Sequence, residues 1–151
     1  MPDATDRRIL RQLLADPDLP NADLAQRAGV TTASLWRRLD RLRETGVLRA
    51  TEARIDWRAL GWEVEVSLRF TLDKTNPRAF DEFLTAAREV PEVTEIQTFL
   101  GSVDIRLSVI ARDMAHWQQV YRDRILTLPH VSDSDALMLV STIKDSGALP
   151  L

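Results

Sequence analysis

Four arginines lie in one helix-sized segment of the sequence, GVTTASLWRRLDRLRETG, which spans residues 29–46. A guanidinium group can donate two parallel hydrogen bonds to a guanine edge, and it can also pair with a phosphate. The positive charge is local, because the 151 residues together have a formal net charge of −3 at pH 7. A cationic helix face is typical of a nucleic-acid contact, although charge alone is also typical of a solvated surface helix.

Other groups that could do chemistry are few. The chain has no cysteine, which removes thiolate zinc sites and cysteine nucleophiles and fits a cytoplasmic protein. His116 and His130 lie in no recognisable catalytic setting, and Asp133 with Asp135 forms a D-x-D without the spacing of an oxygen-ligand loop. We therefore predict no catalytic residue, no metal site and no cofactor. The sequence also lacks an apolar run of about 20 residues and a signal-peptide pattern, so we expect no membrane partner.

The cationic segment follows two predicted helices. Thr5 is expected to cap a first helix that starts at Asp6 and ends at Asp16, where a proline follows. Asn21 is expected to cap a second, short helix, and Gly29 can take the left-handed conformation that ends it. Short helices joined through a glycine turn are typical of a helix-turn-helix.

The third helix carries the arginines. Thr31 is expected to cap it and Gly46 to end it, which gives a helix over residues 32–45. At 100° per residue, its apolar positions fall on one inward side: Leu35, Leu39 and Leu42. The remaining sides form the predicted DNA-binding set: Thr32, Ala33, Ser34, Trp36, Arg37, Arg38 and Arg41. Trp36 has two interpretations, packing between helices or contact with the DNA backbone.

Residues 62–151 show four strand patterns. GWEVEVSLRFTLD alternates apolar and polar residues, VTEIQTFL and VDIRLSVIA flank a turn at Gly101-Ser102, and DALMLVSTI is nearly continuous in apolar residues. One helix is predicted after Asn76-Pro77, with Phe80 and Phe83 inward, and another after Asp113, with Met114 inward. The order βαββαβ predicts a ferredoxin-like unit, so the fold class is α+β.

The last strand pattern also concerns assembly. Leu137 and Leu139 cannot point to the same side of a sheet as Met138 and Val140, so helices on one face leave apolar residues uncovered. A second copy on the open face would cover them, and we expect a homodimer. The predicted domains are a helix-turn-helix over residues 1–46, a linker strand over 47–61 and an effector-binding and oligomerisation domain over 62–151.

Several stretches in this order resemble the Lrp/AsnC family of transcriptional regulators. They are DATDRRILRQLLADP, LAQRAGVTTASLWRRLDRLRETGVL, ARIDWRALG, FLGSVDIRL and LPHVSDSDALMLVSTIKDSGALPL, and they cover nearly the whole chain. The resemblance implies a winged-helix-like DNA-binding domain that binds double-stranded DNA. It also implies a C-terminal domain that forms dimers and higher assemblies such as octamers.

The resemblance further implies a small-molecule effector, commonly an amino acid, bound between dimers near the glycine–aspartate turn. The implied positions here are Thr98, Leu100, Gly101, Ser102 and Asp104, to which the hydroxyl groups of Ser132 and Ser134 can be added. Backbone N–H groups of a turn can hold a carboxylate, and Asp104 could either pair with an ammonium group or satisfy local backbone N–H groups. Two positions depart from the family pattern: Val103 replaces an aromatic residue, and His130 replaces a glycine.

Two other functions stay open on the sequence. Siroheme decarboxylases resemble the same two-part architecture, so the fold alone does not exclude an enzyme. The histidine settings and the arginine-bearing helix argue against that alternative. An effector-independent protein that organises DNA is the other alternative, and the sequence does not separate it from a ligand-modulated regulator.

Overall fold

The structure, a computed structural model, describes residues 1–50, 52–144 and 149. They fall into two compact units, Met1–Arg54 with Ile143–Leu151, and Ile55–Thr142. The first unit holds α1 (Ala4–Ala15), α2 (Asn21–Ala28) and α3 (Thr32–Glu44). The second holds β1 (Val64–Leu72), α4 (Ala79–Arg88), β2 (Val93–Thr98), β3 (Ile105–Ala111), α5 (Met114–Val120) and β4 (Val131–Met138). Within the described part of the chain, no helix is long and apolar enough to cross a membrane.

The three helices of the first unit form the predicted helix-turn-helix. Gly29 ends α2 with a φ of +67°, a left-handed conformation that costs other residues free energy, and its N–H donates to carbonyl groups of the last turn. The turn brings α3 back across the other two helices. The apolar faces then meet in one small core: Ile9, Leu19, Leu24, Ala25, Ala28, Leu35 and Leu39.

The start of α1 differs from the prediction. The helix begins at Ala4, two residues earlier than expected, and Asp3 caps it instead of Thr5. The Asp3 carboxylate accepts the backbone N–H of Asp6 at 2.8 Å, and the Asp6 carboxylate accepts the backbone N–H of Asp3 at 2.9 Å. This reciprocal capping box satisfies two backbone donors, which a cap at Thr5 would not do. Asn21 likewise lies inside α2 as its first residue, and it is not the cap.

The second unit is the predicted ferredoxin-like βαββαβ unit. Its four strands are antiparallel in the order β2-β3-β1-β4, so the first and third strands are central. Alternate residues of β1 and β3 face the helices and are buried together with Phe83, Trp117 and Val120 from α4 and α5. These strand residues are Val66, Leu68, Phe70, Leu72, Ile105, Leu107, Val109 and Ala111.

The first helix of this unit starts later than the sequence predicts. Asn76 does not cap α4. Its side chain accepts the backbone N–H of Arg78 at 2.9 Å, which closes a turn before the helix begins at Ala79. The later start places Ala79 and Phe83 inward, while Phe80 is 38% exposed. The prediction of an inward Phe80 was therefore wrong.

The second helix and the last strand of this unit also differ from the prediction. Asp113 caps α5 as predicted, but Met114 is exposed and a π-helical segment, Tyr121–Ile125, continues the helix. β4 begins four residues before the predicted Asp135, because its pairing with β1 starts where Val131 lies opposite Leu72. The apolar pattern misplaced this strand because every residue of β4 is exposed in the single chain, so burial does not mark its ends.

The linker strand predicted over residues 47–61 is not formed. The described residues of this range, 47–50 and 52–61, form bends, turns and irregular chain. A strand needs a neighbouring strand for its hydrogen bonds, and the described residues of the chain offer none to the segment.

The face of the sheet opposite the helices is charged in the middle and apolar at its edge. Arg69 lies opposite Arg106 on one side and opposite Asp135 on the other. Leu137, on the same face, lies opposite Ser67, whereas Met138 lies opposite Val66 on the helix-covered face. Both apolar residues of β4 remain partly exposed, at 39% and 46%.

The two phenylalanines of α4 provide a matched test of the fold. Phe83 is fully buried and contacts the ring of Phe70 at 5.0 Å between centroids. Phe83→Ala should cost about 3–5 kcal/mol of unfolding free energy, because it leaves a cavity. Phe80→Ala on the same helix should cost roughly 1 kcal/mol or less, because that side chain is partly solvated. Urea unfolding at one protein concentration measures both values, and equal losses would contradict the orientation of α4.

Candidate nucleic-acid interface and effector turn

The exposed face of α3 begins with small side chains. Thr31 caps the helix as predicted, because its hydroxyl oxygen accepts the backbone N–H of Ser34 at 3.2 Å. Thr32 and Ala33 are exposed beside it, so a polynucleotide could approach the first turn closely. The inward side is as predicted, with Leu35, Leu39 and Leu42 buried. Trp36 is 47% exposed, so it lies on the accessible flank and is not enclosed between helices.

The arginines of α3 divide into groups with different partners. Arg38 donates from Nη1 to Asp3 and to Asp6, each at 2.7 Å. Arg41 donates from Nη2 to the other carboxylate oxygen of Asp6 at 2.6 Å. The carboxylate of Asp6 has no exposed surface, so two arginines of the cationic helix neutralise a buried charge of α1.

Arg37 and Arg43 remain on the solvent side. Among the residues that the structure describes, Arg37 is exposed and has no ion-pair partner. Arg43 pairs with Asp40 one turn earlier at 3.1 Å, and both side chains are largely exposed. Such a surface pair contributes little stability and exchanges easily with other partners. Arg37 is therefore the cation of this face that is most available to a ligand.

Both acidic partners of Arg38 have a lowered pKa. Its guanidinium group, followed by the Asp6 backbone N–H, lowers the pKa of Asp3 to about 2. Burial by itself raises the pKa of Asp6, but the backbone N–H of Asp3 and the Arg38 side chain outweigh it, so the net shift is downward. Both carboxylates are ionised at neutral pH, and the network contains two positive and two negative charges.

Sequence reasoning missed Asp3 and Asp6 as members of this site. The signal was present in the spacing, because two aspartates three residues apart at a helix start can form a capping box. No sequence pattern shows that the same carboxylates also reach the third helix, 32 to 35 residues away along the chain.

The predicted effector turn connects β2 to β3. The backbone N–H of Phe99 donates to the carbonyl of Asp104 at 2.9 Å, and the N–H of Asp104 donates to the carbonyl of Phe70 at 2.9 Å. The Thr71 hydroxyl donates to the carbonyl of Ser102 at 3.1 Å. The turn is thus fixed to the end of β1, with Gly101 at its tip in a φ of +154°.

Within this turn, Asp104 faces inward. Its residue exposure is only 7%, its Oδ2 atom accepts the backbone N–H of Leu72 at 2.9 Å, and Lys74 lies 3.2 Å from Oδ1. The Leu72 N–H, together with the Lys74 ammonium group, holds the pKa of Asp104 below its usual value despite burial. Leu100, by contrast, is fully exposed, and Thr98, Gly101 and Ser102 are exposed beside it. Asp104 therefore holds the turn in place, while the other predicted positions are accessible.

His130 lies just before β4, at the same end of the sheet. Its φ of +61° is in the left-handed region, which explains why a glycine suits this position in the family pattern. Its carbonyl accepts the backbone N–H of Asp73, and its ring contacts Asn76 and hydrogen-bonds to Glu82 of α4. The hydrogen bond from His130 lowers the pKa of Glu82. Through these contacts His130 links the start of β4 to α4.

The remaining histidine also has structural partners. His116 Nδ1 accepts the backbone N–H of Arg112 at 3.2 Å, which places the ring proton on Nε2 in the neutral form. That nitrogen lies 3.6 Å from the nearly buried Glu92, which Arg124 also approaches at 3.6 Å. Among the described residues, no three histidine, cysteine, aspartate or glutamate side chains form a group that could hold a metal ion.

The Asp6 network gives Arg38 and Arg41 a role in stability. Removing either arginine should not spare the fold, because it leaves a buried carboxylate short of a partner. We expect Arg38→Ala to cost about 1–3 kcal/mol at pH 7, and Arg37→Ala to change stability by less than about 0.5 kcal/mol. Thermal unfolding of the full chain measures the difference between these two variants.

The stability difference between Arg38→Ala and the wild-type protein should depend on pH, and the lowered pKa values give the direction of this dependence. Both carboxylates have lowered pKa values, so their contribution to stability is present above the unfolded pKa of about 3.9 and is lost as the pH falls through the lowered pKa values, about 2 for Asp3. The difference between Arg38→Ala and wild type should shrink over that interval. A difference that stays constant from pH 7 to pH 2 would contradict the network.

Comparisons with known proteins match both units of the chain to known domains. The Lrp/AsnC ligand binding domain matches residues 65–149, and a winged helix-turn-helix DNA-binding domain matches residues 2–49. Transcriptional regulator AzlB of Bacillus subtilis is 29% identical over 151 residues, covering 100% of this chain and 96% of the relative. The leucine-responsive regulatory protein of Escherichia coli K12 is 27% identical over 147 residues, covering 97% and 90%.

Solved structures give the same result. A transcriptional regulator from Neisseria meningitidis, solved as a complex with L-Met, superposes with a TM-score of 0.89 at 26% identity over 98% of this chain and 96% of that one. An AsnC family regulator from Agrobacterium tumefaciens superposes with a TM-score of 0.86 at 31% identity over 98% and 96%. The fold of both units agrees with the sequence matches and with the superpositions. The chain therefore belongs to the Lrp/AsnC family of transcriptional regulators.

Proposed function

We propose that this protein is a sequence-specific regulator that binds duplex DNA through α3 and is modulated by an amino acid. The observation that carries the proposal is the exposed, capped helix on which Arg37 has no ion-pair partner among the described residues. Its relatives are named as transcriptional regulators, which favours regulation over catalysis. Both histidines have structural partners, so no observation favours the siroheme-decarboxylase-like alternative.

In this proposal the residues of α3 have different tasks. The small residues of the first turn let the helix enter the major groove, and Arg37 reaches a guanine edge or a phosphate. Trp36, on the exposed flank, contacts the sugar-phosphate backbone. Arg38 and Arg41 lie next to the groove, where Asp6 holds their guanidinium groups in place and offsets part of their positive charge. The proposed DNA interface therefore keeps the predicted DNA-binding set, with Arg37 as its main contact.

The effector site is proposed at the turn between β2 and β3. The regulator from Neisseria meningitidis was solved with L-Met, which supports an amino acid as the ligand class. Exposed backbone of the turn can receive the ligand carboxylate, and the proposed contact positions are Thr98, Leu100, Gly101 and Ser102. Asp104 contributes by fixing the turn to β1, because its carboxylate is already engaged by Leu72 and Lys74.

Assembly is proposed through the second unit. β4 is an edge strand whose residues are all exposed, and Leu137 leaves apolar surface on the open face of the sheet. A second copy covering this face gives a homodimer, and dimers would build a higher oligomer such as an octamer. The protein would act in the cytoplasm, where its DNA target lies.

DNA binding is tested by removing one arginine that folding does not need. Arg37→Ala should weaken binding to an operator selected from random duplexes by about 1–3 kcal/mol, with no change in melting temperature. Arg88→Ala, an exposed arginine at the end of α4, makes the same charge change and should bind as the wild type does. Fluorescence anisotropy at fixed moderate salt compares the three proteins. Equal affinity of Arg37→Ala and Arg88→Ala would remove α3 from the DNA interface.

The effector proposal is tested by calorimetry with L-methionine and the other common amino acids. Asp104→Ala should weaken binding at least about ten-fold, because the turn loses its attachment to β1. Asp81→Ala, an exposed acid on α4, should leave binding unchanged. Undiminished binding in Asp104→Ala would remove this turn from the site. If no amino acid binds the wild type, the effector-independent DNA-organising function replaces this proposal.

A further inference from the structure

The cationic helix is partly neutralised by the protein's own acids. Asp3 and Asp6 lie at the start of α1, and both contact Arg38 through the same nitrogen, Nη1, at 2.7 Å. We propose that Asp3 is a specificity-determining residue, which weakens the attraction of Arg38 for DNA phosphates and so suppresses binding to unrelated sequences. The inference rests on the proposed DNA binding through α3, and it assigns to Asp3 a task that helix capping alone does not require.

The two acids differ in how firmly they are held. The Asp6 side chain has no exposed surface, and its oxygens accept from Arg38, Arg41 and the backbone N–H of Asp3. The Asp3 side chain is 50% exposed, and its Oδ1 atom caps the helix while Oδ2 accepts from Arg38. Asp6 is therefore a fixed part of the core, whereas the contact of Asp3 with Arg38 lies at the surface, where a phosphate could replace it.

Arg38 retains the capacity to bind a phosphate. A guanidinium group has five N–H donors, and within the described residues the hydrogen bonds of Arg38 to these acids use only Nη1. Its side chain is 22% exposed, so part of the group is accessible. Asp3 adds a negative charge within hydrogen-bond distance, which opposes an approaching phosphate and offsets part of the positive charge of Arg38.

This charge arrangement affects the two parts of DNA binding differently. Binding to arbitrary sequence depends on the number of phosphates that arginines and lysines neutralise. Sequence discrimination depends on contacts to base edges, here assigned to Arg37, which has no acidic partner among the described residues. An acid that counters Arg38 therefore weakens the binding to phosphates and leaves the contacts to base edges in place. This raises the ratio of specific to non-specific affinity.

Asp3→Asn tests the inference without removing the helix cap. Asparagine is among the preferred N-cap residues, so its side-chain oxygen can still accept the N–H of Asp6. Asp18→Asn is the matched control, because Asp18 is an exposed acid of the same unit and the net charge changes equally. Circular dichroism would first show that both variants melt as folded proteins.

The measurement is affinity for a random-sequence duplex and for a selected operator over a series of salt concentrations. For Asp3→Asn, the slope of log affinity against log salt on random DNA should steepen by about 0.9, the value for one added phosphate contact. Its affinity gain over wild type should then grow about eight-fold for each ten-fold fall in salt. The specific-to-non-specific ratio should fall, and Asp18→Asn should keep the wild-type slope.

A double variant shows whether Arg38 mediates the effect. Asp3→Asn with Arg38→Gln should lose the added slope that Asp3→Asn gains, because the released arginine is gone. Identical slopes for Asp3→Asn and Asp18→Asn would overturn the inference while leaving DNA binding through α3 intact. A wild-type protein that binds no duplex at low salt would instead overturn the proposed function, and this inference with it.

Discussion

A carboxylate without exposed surface stays ionised only where protein groups supply the hydrogen bonds that water would otherwise donate, and Asp6 is such a group. These hydrogen bonds come from the backbone N–H of Asp3, which caps α1, and from two arginines of α3. This arrangement joins the helix that starts the domain to the helix that carries the proposed DNA-binding residues. The orientation of α3 therefore depends on a charge–charge contact as well as on the apolar core beneath it. A pair of this kind is costly to break from one side only, because the partner left behind is buried.

The second unit has a similar arrangement at the turn where we propose the effector site. Asp104 is nearly buried, and it is satisfied by the backbone N–H of Leu72 and by Lys74. The carboxylate ties the turn between β2 and β3 to the end of β1. In both units a buried aspartate holds a segment whose neighbours are exposed, so the surface that would meet a ligand is placed by a group that the ligand does not touch. Such support keeps the accessible residues in a fixed geometry before any ligand arrives.

The charge distribution explains how a chain of net charge −3 can present a basic surface. Positive charge is gathered on α3, and three of its four arginines pair with acids of the same unit, so the exposed excess is centred on Arg37. The sheet of the second unit also mixes signs, with Arg69 opposite Asp135. A surface of mixed sign with one cationic helix favours a defined DNA contact over general adhesion to polyanions.

Periodicity alone predicted most of the architecture. The helical spacing of Leu35, Leu39 and Leu42 and the strict alternation along β1 each have one physical solution, because burial selects one face of an element. These patterns specified the helix-turn-helix and the βαββαβ order. They did not specify the ends of α1, α4 and β4. Ends depend on which hydrogen bonds close, and the closing groups were Asp3, Asn76 and the pairing of Val131 with Leu72.

The sequence by itself determined which residue types reach the two candidate sites: arginines and small residues on α3, and a glycine–aspartate turn between two strands. Only the tertiary structure decided what each of them does. Arg38 and Arg41 are engaged by α1 and Arg37 is not, although all three belong to the same cationic helix. Asp104 points into the protein and not toward the exposed turn. The reason is physical: a side chain's partners across 30 or more residues depend on how the helices and strands pack, and local spacing carries no record of that packing.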